Sequence, residues 1–138
     1  MKITSTNVEE GDDMKKKIRR LPDSELELMQ IIWQKEPPVS RAEIEDAIKA
    51  SHTLAPTTIL TLLTRLCEKG FLKMEKQGRA NAYAPQISQR DYLASESRSL
   101  LEKLYGGSIK TFANALCDSG LSKEELDELR RLLEKQSL

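Results

Sequence analysis

This sequence has little of what enzymes and metalloproteins are usually built from. It holds one histidine and two cysteines. Cys67 and Cys117 stand fifty positions apart with no C-x-x-C pair, so neither a zinc site made by this chain alone nor a disulfide scaffold is expected. There is no Gly-rich phosphate loop and no acid pair in an evident pocket, which argues against an enzyme, and no cofactor or metal is implied. No apolar run approaches the roughly 20 residues of a membrane span. Met1-Lys2-Ile3-Thr4-Ser5 is not followed by an apolar signal region, so the expected location is the cytoplasm, with no membrane partner. Aromatic residues make up only 4%, so any core must be aliphatic. With 38% hydrophobic and 32% charged residues, and few glycines or prolines, the 138 residues read as a mainly helical domain plus an appendage.

A net charge of zero argues at first against a nucleic-acid partner, but the charges are unevenly spread. Lys15, Lys16, Lys17, Arg19 and Arg20 have no acid among them, and Arg65, Lys69, Lys73, Lys76 and Arg79 face only Glu68 and Glu75. Ten basic residues against two acidic give these two segments a local surplus of +8. Acids near the C-terminus, Glu124, Glu125, Asp127 and Glu128, hide it in the sum.

The most informative stretch runs from Ala55-Pro56 to Lys69-Gly70. Proline suits the first helical position, and glycine can take the left-handed conformation that closes a helix. Ile59, Leu62, Leu63, Leu66 and Cys67 recur on one stripe, with Cys67 as a small core residue. Thr57, Thr58, Thr61, Thr64 and Arg65 fall on the other side. A face made for solubility alone would carry Glu and Lys, which favour helix more than β-branched Thr. Threonine hydroxyls can donate to phosphate oxygens, threonine methyls can meet thymine methyls, and arginine can bridge guanine. On this stretch alone, a DNA recognition helix and a Thr-rich surface helix both stand. Leu60 would either pack on a thymine methyl or simply be exposed.

In chain order, residues 1–20 read as a flexible basic arm, either a solvated linker or a strand that follows DNA phosphates. A helix is expected from about Pro22 or Asp23, with Leu28, Met29, Ile32 and Trp33 buried and Glu25 and Glu27 near its positive end. Pro37-Pro38 breaks the chain, and Ser40-Arg41-Ala42-Glu43 is a capping box for a second helix reaching about Ser51. His52 lies in the turn before the Thr-rich helix, as a surface residue or a phosphate contact. Two helices joined so closely suggest a helix-turn-helix. Residues 71–75 and 80–84 alternate as two strands around Lys76-Gln77-Gly78-Arg79. Such a wing would carry Lys73, Lys76 and Arg79 to phosphates, or would merely cover the core.

Residues 88–138 contain three amphipathic stretches. Tyr92, Leu93, Leu100, Leu101 and Leu104 mark the first, Ile109, Phe112, Ala113 and Leu116 the second. Ser122-Lys123-Glu124-Glu125 caps the third, which is striped by Leu126, Leu129, Leu132 and Leu133. This segment is too short to bury every stripe internally, so these leucines, with Ile109 and Phe112, predict a homodimer that would match a palindromic DNA site. The expected organisation is an arm over 1–20, a winged helix-turn-helix over 21–87 and a helical dimerisation domain over 88–138.

Roughly over 21–137 the chain resembles the penicillinase and methicillin-resistance repressor family, which also includes copper-responsive repressors. The resemblance rests on Glu25 with Met29-Gln30-Ile31-Ile32-Trp33, Ala55-Pro56-Thr57-Thr58-Ile59, Thr64-Arg65-Leu66, Lys69-Gly70-Phe71 and Tyr83. Further matches are Gly107-Ser108-Ile109-Lys110, Leu121-Ser122 and Glu125-Leu126. It implies a dimeric winged-helix repressor on double-stranded DNA, with the third helix in the major groove and the wing on the backbone. Relatives in the resistance branch are cut by a regulatory protease between asparagine and phenylalanine; the equivalent position here is Asn114-Ala115, where a small residue replaces the aromatic. The copper branch carries paired C-x-C motifs, and this tail has only Cys117, a redox switch or a plain core or interface residue. Thr57 and Leu60 stand where relatives often carry basic residues, while Arg65 matches. The leading reading is a sequence-specific repressor; a winged-helix protein-interaction module is the alternative, separable by the salt dependence of DNA binding.

Overall fold

The computed structural model describes residues 18–51 and 53–136, so Lys15, Lys16, Lys17 and His52 lie outside the described residues. In order, the elements are α1 (Asp23–Trp33), β1 (Val39–Ser40), α2 (Arg41–Ile48), α3 (Pro56–Glu68), β2 (Leu72–Gln77), β3 (Ala80–Pro85), α4 (Gln89–Tyr105), α5 (Ile109–Asp118) and α6 (Lys123–Gln136). The expected class, mainly α with a small β-hairpin in a winged helix-turn-helix followed by helices, is the architecture found.

The chain divides into two compact units, one ending at Glu96 and the other beginning at Ser97. That division falls inside α4, nine residues beyond the boundary expected after residue 87. The reason is Tyr92, which is buried in the first unit. Its ring lies 5.7 Å from Trp33 and 5.8 Å from Phe71, centroid to centroid. Its Oη accepts a 2.9 Å hydrogen bond from the Leu21 N–H. The first turns of α4 therefore belong with the winged helix.

In that first unit, Leu28, Met29 and Ile32 of α1, Ile44 and Ile48 of α2, and Ile59, Leu62, Leu63 and Leu66 of α3 share one core. Each such aliphatic side chain contributes about 1.5–3 kcal/mol when fully buried. Trp33 sits at the edge of this core, half-buried, its Nε1 donating to the Ile87 carbonyl at 2.9 Å. Cys67 likewise packs against the core without being fully buried.

The capping box at Ser40 forms as expected. The Glu43 N–H donates to Ser40 Oγ at 3.2 Å while Glu43 Oε2 accepts from the Ser40 N–H at 2.9 Å. The Ser40 N–H and the Ser40 hydroxyl, which donates to Glu43 Oε2 at 3.1 Å, hold the Glu43 carboxyl below the usual glutamate pKa. α2 ends at Ile48 rather than near Ser51, because Lys49, Ala50 and Ser51 continue as turns closed by hydrogen bonds to Glu45, Ala47 and Ile48. At the end of α3, Gly70 has φ 83°, the Phe71 N–H reaches the Leu66 carbonyl and the Gly70 N–H the Cys67 carbonyl, which is a Schellman closure. It turns the chain so that Phe71 enters the core directly, ahead of β2 and not within it.

The sheet has three strands in the order β1-β3-β2, all antiparallel, where the sequence suggested only a hairpin. β1 is two residues long, Val39 opposite Tyr83 and Ser40 opposite Ala82.

The second unit holds the rest of α4 with α5 and α6. Ser108 caps α5 by accepting from the Thr111 N–H at 3.1 Å, and Tyr105 packs on Phe112 at 5.2 Å. Ser122 and Glu125 form the second capping box, with bonds of 2.8 and 3.1 Å. No residue of α5 or α6 is buried in the single chain.

A candidate nucleic-acid interface on α3 and the wing

Helical periodicity puts Thr57, Leu60, Thr61 and Thr64 on one outward stripe of α3, with Thr58 and Arg65 along one flank. All six are exposed. The opposite side of the helix is buried in the core. Two of the threonines are not free to donate. Thr61 Oγ1 donates to the Thr57 carbonyl and Thr64 Oγ1 to the Leu60 carbonyl, each at 2.9 Å. A hydroxyl has one hydrogen, so the donation to phosphate expected of these two is already used inside the helix. Their oxygen lone pairs and methyl groups remain for a partner.

The N-terminal end of α3 has Pro56 in its first turn, no acidic residue there, and an N-cap, Ala55, that makes no side-chain bond. An uncapped helix start, positive by its dipole, suits an anion. The other end is tied down. Lys69 Nζ lies 2.6 Å from Glu25 Oε1 of α1, and the Glu25 side chain keeps only 3% of its surface in water. Lys69 was expected to add to the local positive surplus; its charge is matched internally, so the exposed cations here are Arg65, Lys73, Lys76 and Arg79. Glu25 lies 44 residues from Lys69 in sequence, and no local pattern links them. Arg20, counted in the arm, lies 3.6 Å from Glu96.

The wing is longer than expected: Lys76 and Gln77 belong to β2, so Gly78 and Arg79 alone form the tip, with Gly78 at φ 63°. Lys76 pairs with Asn81 and Lys73 with Ala84. Because strand side chains alternate between faces, Lys73 and Lys76 lie on opposite faces of the ribbon. Lys76 and Arg79 stay together near the tip; Lys73 does not join them. Met74, expected to alternate inward, is exposed.

The leucines proposed for dimerisation are placed differently in the two units. Leu93 is exposed within the first unit, while Leu100, Leu104, Ile109, Leu132 and Leu133 are exposed in the second, all six between 47% and 67%. Leu101, Phe112, Leu116, Leu126 and Leu129 are half-buried. Asn114 and Ala115 lie in the middle of α5, and Cys117 is exposed on the same helix. Among the described residues, no cluster of His, Cys, Asp and Glu is arranged to hold a metal ion, and no helix is long and apolar enough to cross a membrane.

The family model of the penicillinase repressor matches residues 21–135. The chain belongs to the penicillinase repressor family. A penicillinase repressor from Bacillus licheniformis is 38% identical over 121 residues, covering 87% of this chain and 94% of that protein. The methicillin resistance regulatory protein MecI of Mammaliicoccus sciuri is 32% identical over 124 residues, covering 89% of this chain and all of its own length. Among solved structures, the monomeric form of B. licheniformis BlaI in complex with the blaP half-operator is 37% identical, covering 54% of this chain and 90% of that one, with a TM-score of 0.47.

Proposed function

We propose that this member of the penicillinase repressor family represses transcription from the cytoplasm by binding a specific, palindromic site on double-stranded DNA as a homodimer. The observation that carries this reading is the exposed stripe of α3, Thr57 to Arg65, on a helix whose other side is buried in the core. The names of its relatives, a penicillinase repressor and a methicillin resistance regulatory protein, support the regulatory sense of the binding. In this reading α3 enters the major groove. Arg65 contacts DNA from its flank, and Lys76 and Arg79 hold phosphates from the wing tip, with Lys73 on a separate stretch of backbone.

The dimer would form through the apolar faces of α4, α5 and α6, whose leucines no part of the second unit covers fully. A regulatory protease acting at Asn114-Ala115 would need α5 to open first, because that bond lies mid-helix. No metal or cofactor enters the mechanism.

The test is titration of the purified full chain onto DNA from upstream of its own gene and onto random DNA of equal length, at several salt concentrations. Tight, salt-sensitive binding with a strong preference for the upstream DNA is expected. Equal weak binding to both would overturn the proposal. Arg65→Ala should cost about 1–3 kcal/mol on the upstream site alone if Arg65 reads a base.

A further inference from the structure

The two back-bonded threonines change what the α3 stripe offers to a groove. With Thr61 and Thr64 donating to helix carbonyls at 2.9 Å, positions 60, 61 and 64 have no hydroxyl hydrogen to offer a partner and present, beside the oxygen lone pairs, two threonine methyls and the isobutyl group of Leu60, which is 38% exposed. Thr64 lies four residues after Leu60 and three after Thr61, so it neighbours both on the helix surface and joins their apolar groups into one strip between Thr57 and Glu68. Arg65 flanks the strip and the cations of the wing tip lie on the same unit, so the setting suits a polyanion rather than an apolar protein surface. In the major groove, the apolar feature a polyanionic duplex presents is the C5-methyl of thymine.

We propose that Leu60, Thr61 and Thr64 form a thymine-reading strip, in which threonine acts through its methyl and not its hydroxyl. This rests on the DNA-binding reading above and specifies its chemistry: a half-site with thymines facing the centre of α3, and a guanine or phosphate facing Arg65 at the side. Lysine or arginine at position 60 would instead demand an acceptor, so Leu60 sets a different sequence preference from that of a relative with a basic residue there.

Two substitutions separate the methyl from the hydroxyl. The paired variant Thr61→Val with Thr64→Val keeps a methyl at each site and removes the hydroxyls; Thr61→Ser with Thr64→Ser does the opposite. Both positions are exposed, so the core is untouched. The probe is the duplex protected by the full chain in footprinting of its upstream DNA, made with thymine or with uracil, which lacks only the C5-methyl. Wild type should bind the uracil duplex more weakly by about fourfold per contacted methyl, the equivalent of about 0.8 kcal/mol. The valine pair should keep a preference for the thymine duplex over the uracil duplex. The serine pair should lose affinity and become less sensitive to uracil, and Leu60→Ala should lose affinity for this duplex but not for random DNA. Indifference of wild type to uracil, or loss of affinity in the valine pair with retention in the serine pair, would overturn the strip. Failure of wild type to prefer its upstream duplex over random DNA would overturn the DNA-binding reading itself, and so separates the two.

Discussion

At the scale of single residues, two buried polar groups decide how firmly the first, winged-helix unit is held. Glu25 has almost no water contact and one cationic partner, Lys69. Lys69→Ala leaves that carboxylate unpaired in the core, and we expect a loss of about 2–3 kcal/mol in urea unfolding, somewhat below the cost of breaking a wholly buried pair because Lys69 keeps 21% of its side chain exposed. Replacing Glu25 and Lys69 together by methionine should recover most of it. Tyr92 is the other. Burial pushes its phenol above the ordinary tyrosine pKa, outweighing the Leu21 N–H that favours the anion. A folded-state value above the unfolded one means that the contribution is intact below about pH 10 and is lost as the pH rises through the folded value. Tyr92→Phe should cost about 1–2 kcal/mol at neutral pH, by leaving the Leu21 N–H without its acceptor, and should flatten the alkaline fall in stability. Neither group announces itself in the sequence, because each depends on a partner tens of residues away.

At the scale of elements, what could be read in advance was what is encoded locally. The capping boxes at Ser40 and Ser122, the Pro56 start and Gly70 stop of α3, and its buried stripe all follow from short-range chemistry, and all form. β1 escaped notice because two residues carry no periodicity; Val39-Ser40 becomes a strand only by pairing with Tyr83 and Ala82. The wing was legible as a hairpin, but its register was not, and register is what separates Lys73 from Lys76. That separation makes a prediction. Lys76→Ala and Arg79→Ala should each weaken binding about equally on upstream and random DNA, and each should lower the slope of log affinity against log salt by about one. The hydroxyls of Thr61 and Thr64 were likewise visible as residue types, while their bonding state belongs to the folded helix.

At the scale of the whole molecule, the second unit leaves Leu100, Leu104, Ile109, Leu132 and Leu133 exposed, and burying them against a second copy would be favourable. Leu129→Glu on α6 should yield monomers in sedimentation velocity and weaken binding to a two-half-site duplex, while leaving affinity for a single half-site nearly unchanged. A mutant that stayed dimeric would remove α6 from the interface. The assembly with DNA also gives a meaning to the unequal ends of α3. One end is clamped by Lys69 on Glu25 and closed at Gly70; the other has an alanine where most helices place a capping oxygen. Amide exchange should therefore be slowest around Leu66 and fastest at Thr57 in the free protein, because the Thr58 N–H is already bonded to the Ala55 carbonyl at 2.9 Å. A DNA phosphate at that open end would supply the missing acceptor, and protection would then spread back through the first turn. In the proposed complex the site-selecting helix is one cap short until the nucleic acid completes it.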